Sequence, residues 1–323
     1  MKYLSKINPL VDVQFPTTIG HILSIKYEIM RHIPALTTVF CLLMLLSCKT
    51  GTNSDQKASE AEKAPAKEDN ATMWTVDFFD DFDTFNADNW QDQRIWVNNE
   101  NHCYVPDNQY GTREVSDGTL KLKVVNIGEK ISCDNMDKHG NQHPDTEYVA
   151  GRIASKNRKE FVKGRWTARL KLWGNGEPGM FPAWWILGAR NNEPPVQEED
   201  ENVCWPLTGS GEIDIFEHHG DHLKDKFTTG AIKSLGECDK GDWENYRTNI
   251  DATLNDFHEY SVEWEGSDLV YRLDGREVYR NEGEGDNYPE PMFAILNYAK
   301  ITDSPMTGEW MMEVDWVKHE SVN

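Results

Sequence analysis

From Met73 onward the chain alternates apolar and polar positions in short runs separated by turn residues. Thr119-Leu-Lys-Leu-Lys-Val-Val125 follows Ser116-Asp117-Gly118, and Arg165-Trp-Thr-Ala-Arg-Leu-Lys-Leu172 follows Lys163-Gly164. Tyr260–Trp264 and Leu269–Leu273 flank Glu265-Gly266; Asp274-Gly275 then leads into Glu277-Val-Tyr279, and Glu313–Val317 closes the series. Alternation over four to eight residues is the mark of a half-buried strand, and Asp-Gly between two such runs marks a hairpin. No apolar stripe at helical spacing is sustained, and there is no internal repeat or second linker. Many short strands with Gly-, Asp- and Asn-rich turns predict one all-β domain, a sandwich or barrel, over residues 73–323.

The N-terminal part follows a different pattern. Ile33–Ser47 is an apolar run of about 15 residues, short of the roughly 20 that cross a bilayer. It follows Met30-Arg31-His32 and ends at Leu45-Leu46-Ser47-Cys48, so residues 30–48 read as a secretory signal with a lipobox whose Cys48 is the lipidated residue. Residues 1–29 fit poorly ahead of such a signal, and Met30 is the expected initiator. Residues 49–72 carry no large apolar side chain before the domain begins and read as a disordered tether. The expected location is a bacterial membrane, the outer membrane, to which the exported domain is anchored by the lipid, facing either the periplasm or the surface.

Charge and cysteine content sharpen this. With 33 Lys+Arg against 55 Asp+Glu the formal charge is −22, which argues against nucleic acid as a partner. Cys103, Cys133, Cys204 and Cys238 remain in the exported part. They lack CxxC spacing, and the sequence leaves three pairings open.

The most informative segment is Gly211-Glu-Ile-Asp-Ile-Phe-Glu217. Glu212 and Asp214 share a strand face, whereas Glu217 sits at an odd offset. One β-bulge between Asp214 and Glu217 restores the parity and crowds three carboxylates together. Such crowding raises carboxyl pKa values and suits glycoside hydrolysis, which needs one carboxylate as nucleophile and one carboxylic acid as acid/base. A solvated acidic strand is the alternative.

Glu212-Ile-Asp-Ile-Phe-Glu217 resembles the ExDxxE signature of glycoside hydrolase family 16, in the bulged form of its laminarinase-like branch. Trp74…Asp80-Asp-Phe82…Trp90, Asn99-Glu100, Phe181-Pro-Ala-Trp-Trp-Ile-Leu187, Trp205-Pro206, Phe257-His-Glu-Tyr260…Trp264, Leu296-Asn297 and Val314-Asp-Trp316 follow the family's order. The resemblance implies a β-jelly-roll of two curved antiparallel sheets with a concave substrate cleft. It implies Glu212 as nucleophile, Glu217 as acid/base and Asp214 as helper. Trp185 and Trp205 match cleft-lining aromatics, Asn99 and Glu100 are candidates for hydroxyl contacts, and His218 is a further substrate candidate. Some members hold a structural calcium, for which Asp81 and Asp315 lie at comparable positions; ordinary exposed carboxylates are the alternative, and the chemistry requires no cofactor. His218, His219 and His222 could be read as a metal site, with solvent or substrate contacts favoured over it.

The implied activity is retaining endo-hydrolysis of a β-linked polysaccharide by a monomer, first a β-1,3-glucan of laminarin type. Mixed-linkage β-glucan and then a β-galactan of agar or carrageenan type are the alternatives. A transglycosylase would share every catalytic residue. A non-catalytic glycan-binding surface lipoprotein would share the fold but would have no need of two crowded glutamates. The acidic insertion Ala189–Val203, the two adjacent histidines and the absence of Gly-Gly after Leu296-Asn297 depart from the family's pattern and bear on the choice of polysaccharide.

Overall fold

The computed structural model describes residues 73–98, 100–135, 140–174, 176–220 and 224–322. The signal segment, Cys48, the tether, Asn99 and His222 lie outside the described residues.

The described residues build two β-sheets packed face to face, as the alternation predicts. The first sheet runs Arg276–Asn281, Asp268–Leu273, His258–Glu265, Gly164–Trp173, Trp310–Val322, Thr119–Ile131, Thr146–Ala150, Cys103–Tyr104. Trp74–Asp80 pairs with Trp310–Val322, and Arg113–Ser116 with Thr119–Ile131. The second sheet runs Gly241–Asp242, Lys226–Ser234, Glu212–Glu217, Met180–Gly188, Met292–Lys300, Arg152–Ala154, Gln91–Asp92. Tyr246–Asp251 joins it along Lys226–Ser234. Each run singled out for its alternation lies in a strand, and the Asp274-Gly275 turn closes its hairpin with both residues at positive φ. The jelly-roll sandwich is therefore the observed architecture.

Period-two patterning decides which side chains fill the space between the sheets. In Gly164–Trp173, Trp166, Ala168, Leu170 and Leu172 point inward. In Met180–Gly188, Met180, Trp184 and Ile186 do so, leaving Phe181, Ala183, Trp185 and Leu187 on the outer face. Aromatic pairs join the sheets. Trp166 meets Trp184 edge-on at 6.0 Å, Phe216 meets Tyr260 at 4.6 Å, and Tyr298 stacks on Trp310 at 6.3 Å. Such pairs add to the area term that large aromatic side chains already supply. Two disulfides, Cys103–Cys133 and Cys204–Cys238, select one of the three open pairings.

Trp184 is fully buried at the centre of this contact. Trp184→Ala is expected to cost about 3–5 kcal/mol, measured as a lowered urea midpoint at unchanged m-value. A loss below about 1 kcal/mol would show that the inter-sheet aromatics do not carry the packing.

Candidate active site

The outer face of the second sheet carries a cleft of about 770 Å³, and the strand Glu212–Glu217 crosses its floor. Asp214 pairs with Trp185 while Phe216 pairs with Trp184, so Ile215 is the extra residue of a bulge. On the other side, Asp214 and Glu217 pair with Gly230 and Thr228, three steps against two. Ile213, Ile215 and Phe216 all enter the core. The parity shift predicted from the sequence is therefore present, and Glu212, Asp214 and Glu217 all line the cleft.

Burial raises all three carboxyl pKa values, and at Glu212 and Glu217 the neighbouring carboxylate charges add to it. Glu212 is pushed well above the usual range by burial, then by the charges of Asp214, Glu217 and Glu193. Glu217 is pushed well up by burial and by Asp214. Asp214 rises to about 7 through burial, with hydrogen bonds from Tyr246 and Glu212 holding it lower than burial alone would. The Tyr246 hydroxyl donates to Asp214 Oδ2, and burial beside that carboxylate keeps the phenol protonated. Gly230 lets the Tyr246 ring lie against the strand, since a Cβ there would come within 2.5 Å of Tyr246 Cγ. The carboxyls share protons as one coupled unit.

A polar network forms one wall. Trp185 Nε1 donates to Asn297 Oδ1 at 2.7 Å, Asn297 Nδ2 donates to the Tyr104 hydroxyl at 3.2 Å, and Tyr104 donates to Glu100 Oε1 at 3.4 Å. Glu100 is buried, and burial raises its pKa to about 8 against the opposing charge of Arg152. Its Oε2 has no hydrogen-bond partner among the described residues. Arg152, also buried, lies 5.0 Å over the Trp185 ring and pairs with Glu193 at 2.7 Å and with Gln93 at 2.8 Å. Glu193 belongs to the acidic insertion. Buried Lys156 fixes that insertion by donating to the carbonyls of Asn191 and Glu193.

Trp185, Trp205 and Glu100 line the cleft, as the residues proposed for sugar contact. His218 does not: it is fully buried, with Nδ1 2.7 Å from the Lys226 carbonyl, and the next residue, His219, lines the cleft against Phe181. The bulge that returns Glu217 to the cleft turns the following residue inward. Asp81 and Asp315, the calcium candidates, sit in different surroundings. Asp315 is ion-paired with Arg169, Asp81 is exposed and accepts from the Asp83 backbone, and no cluster of three ligating groups includes them among the described residues. Residues that the sequence reading missed are Tyr246, Arg152, Glu193 and Trp243. Arg152 left a signal, a charge inside the apolar stretch Val149-Ala-Gly-Arg-Ile-Ala154, and Glu193 lies in the acidic insertion Ala189–Val203 already singled out as a whole.

The family model described as "Glycosyl hydrolases family 16" matches residues 99–318. Among curated proteins, the chain is 26% identical over 248 residues to glucan endo-1,3-beta-glucosidase A1 of Niallia circulans, covering 69% of this chain and 32% of that protein. It is 24% identical over 276 residues to a beta-glucanase of Rhodothermus marinus, covering 81% and 84%. The chain thus spans about a third of the first relative's length and most of the second's. Among solved structures, LamA from Z. galactanivorans in complex with laminaritriose and laminaritetraose is 28% identical with a TM-score of 0.63, covering 76% of this chain and 99% of that one. A laminarinase from Flavobacterium sp. UMI-01, 21% identical with a TM-score of 0.60 over 76% and 100%, shares the fold.

Because the folded pKa of Glu212 lies above its unfolded value, the unfolded chain gives up that proton first, and stability falls as pH rises through the folded value. Glu212→Gln removes this penalty. The variant is expected to be more stable than the wild type by on the order of 1 kcal/mol at pH 8 and equal to it near pH 4, measured by denaturant melts at both pH values. Equal stability at pH 8 would contradict the raised pKa. Tyr246→Phe removes a donor to the Asp214 carboxylate, so carboxyl-labelled NMR should show Asp214 titrating above its wild-type value of about 7.

Proposed function

The chain belongs to glycosyl hydrolase family 16, and on that premise we propose that it is a retaining endo-glycosidase cleaving a β-1,3-glucan of laminarin type by double displacement. The observation that carries this reading is the bulged strand that sets three carboxyls, all with raised pKa values, on the floor of one cleft.

Glu217, held protonated by burial and by Asp214, donates its proton to the glycosidic oxygen as the bond to the anomeric carbon breaks. Glu212, ionised, attacks that carbon from the opposite face and forms a glycosyl ester. The ester consumes one negative charge, repulsion within the triad falls, and Glu217 ionises and becomes the base that deprotonates the incoming water. Attack by that water breaks the ester, returning Glu212 as a carboxylate and the proton to Glu217. Asp214, hydrogen-bonded to Tyr246, shares a proton with Glu212 and holds it in line.

Substrate class follows from the wall. Trp185 and Trp205 offer apolar faces of the kind that pyranose rings present in return. The cleft's cations are already paired, Arg152 with Glu193 and Lys226 with Asp251, which favours a neutral glucan over a sulfated galactan. The relatives named for 1,3-glucan and the laminari-oligosaccharide complex support the same choice. We propose export and lipid anchoring at Cys48 as well. Two disulfides in the described residues suit an oxidising compartment. We further propose that the enzyme acts as a monomer without a required cofactor.

The test is a panel of laminarin, mixed-linkage glucan, agar, carrageenan and a β-galactan, with products read by mass and chromatography. Internal cleavage of laminarin, with the β-anomer released first by NMR, is expected; first release of the α-anomer would sink the retaining assignment. Glu212→Gln should lower kcat by roughly 10³-fold or more and leave glycan binding intact. Asp214→Asn removes a charge that raises the Glu217 pKa, so the alkaline limb of the pH–rate profile should move to lower pH.

A further inference from the structure

Arg152 is buried in the wall of the cleft, with its guanidinium 5.0 Å over the Trp185 ring and 5.8 Å over the Tyr104 ring. A guanidinium in that place is a fork of N–H donors shaped for a carboxylate or a sulfate. In a polysaccharide cleft it would recruit a glycan that carries such a group. Here a carboxylate of the chain itself takes the fork. Glu193 Oε2 accepts from Arg152 at 2.7 Å, and Gln93 Oε1 accepts from Arg152 Nε at 2.8 Å. Glu193 also lines the cleft, with its side chain 15% exposed. Its field reaches the nucleophile: Glu212 is raised first by burial, and the Glu193 charge is among those that add to it.

The backbone around Glu193 is tied down on every side. Buried Lys156 donates to the carbonyls of Asn191 and Glu193 at 2.6 and 2.7 Å. The Glu193 N–H donates to Asn191 Oδ1 at 2.8 Å, and Asn191 Nδ2 donates to Ser210 Oγ at 2.8 Å, just ahead of the catalytic strand. Gln93 Nε2 donates to the Pro194 carbonyl at 2.9 Å, Asn157 Nδ2 to the Pro195 carbonyl at 3.2 Å, and the Asn192 N–H to the Val203 carbonyl at 3.1 Å. Of the insertion's acidic residues, Glu193, Glu198, Glu199, Asp200 and Glu201, Glu193 alone lines the cleft. An anionic glycan approaching Arg152 therefore meets a fixed carboxylate in its place. Beyond it lie Glu212, Asp214 and Glu217, in a buried setting where like charge is poorly screened.

We propose that Glu193 is a specificity-determining residue that restricts the cleft to uncharged glycans, by occupying Arg152 from within the chain and holding its own carboxylate at the cleft wall. The inference rests on the polysaccharide-cleaving reading of the same cleft. Selectivity of this kind sets like charge against the wrong ligand and leaves recognition of the right one to other contacts. Glu193→Gln removes the charge and keeps the shape. The buried guanidinium is then left without a counter-ion, and a carboxylate or sulfate on the glycan becomes its partner.

The experiment uses the full chain and two derivatives of laminarin at equal degree of substitution, hydroxyethylated and carboxymethylated, which differ in charge far more than in bulk. The readout is the ratio of kcat/KM on the neutral derivative to kcat/KM on the anionic one. The wild-type ratio is expected to be about tenfold or more, and Glu193→Gln should lower it by about tenfold. Glu193→Asp keeps the charge and should keep most of the wild-type ratio. Adding Arg152→Gln to Glu193→Gln should return much of it, because the glycan anion loses its partner. Glu198→Gln removes an exposed charge from the same insertion and should change the ratio less than about twofold, which separates the local carboxylate from the net charge of −22. A merely structural role for Glu193 would lower both rates together, so a Glu193→Gln ratio equal to that of the wild type overturns the proposal. If Glu193→Gln does not fold, the wild type decides. Equal rates on the two derivatives overturn the proposal, and a rate about tenfold slower on the carboxymethylated one supports it. A wild type that ignores laminarin but cleaves another neutral glycan overturns only the glucan assignment, and the same pair of derivatives of that glycan tests Glu193. Cleavage of anionic glycans alone overturns the proposal and leaves the hydrolase reading standing; cleavage of no glycan overturns both.

Discussion

The site depends on one packing event, the burial of both Ile215 and Phe216 beneath the catalytic strand. A regular strand would send one of these side chains outward. Here the bulge keeps both in the core, where Phe216 meets Phe227 at 5.7 Å and Tyr260 at 4.6 Å. Apolar burial of two adjacent side chains, about 1.5–3 kcal/mol each, is thus what turns Glu217 toward Glu212 and Asp214. The same packing denies the carboxyls water, which raises their pKa values. Core hydrophobicity and proton chemistry are two consequences of a single local distortion.

The surroundings of the triad are arranged to tolerate that crowding. Tyr246 supplies a hydrogen bond that lowers Asp214, while the Arg152 guanidinium is engaged by Glu193. A lysine or arginine directly on the triad would hold all three groups ionised and leave no acid. The wall network reaches from Trp185 through Asn297 and Tyr104 to Glu100, a carboxyl pushed up to about 8 and so able to present an O–H near neutrality. The acidic insertion is part of this wall. Lys156, fully buried, binds its carbonyls, and Arg152 binds its Glu193 carboxylate. Its negative charge therefore does not leave it as a loose polar loop, and it shapes the cleft where the substrate must lie.

Alternation along the chain determined the strands, because a face of a sheet exposed to water and a face packed on the core demand opposite side chains at successive positions. The odd offset of Glu217 meant that three carboxylates could share a face only through a bulge, with a solvated acidic strand as the alternative, and the strand register decided for the bulge. Other features were not legible. His218 and His219 are chemically identical in the sequence, and only the path of the chain after the bulge decides that His219 meets the cleft. Tyr246, Trp243 and Glu193 lie tens of residues from the strand that they serve, and their proximity comes from strand pairing and a disulfide. The pairing of Cys204 with Cys238 likewise follows from which loops the sheet brings together. Local pattern is fixed by the period of a strand, whereas the partners of a side chain across the cleft are set by the register of strands distant in sequence, and that register exists only in the folded sandwich.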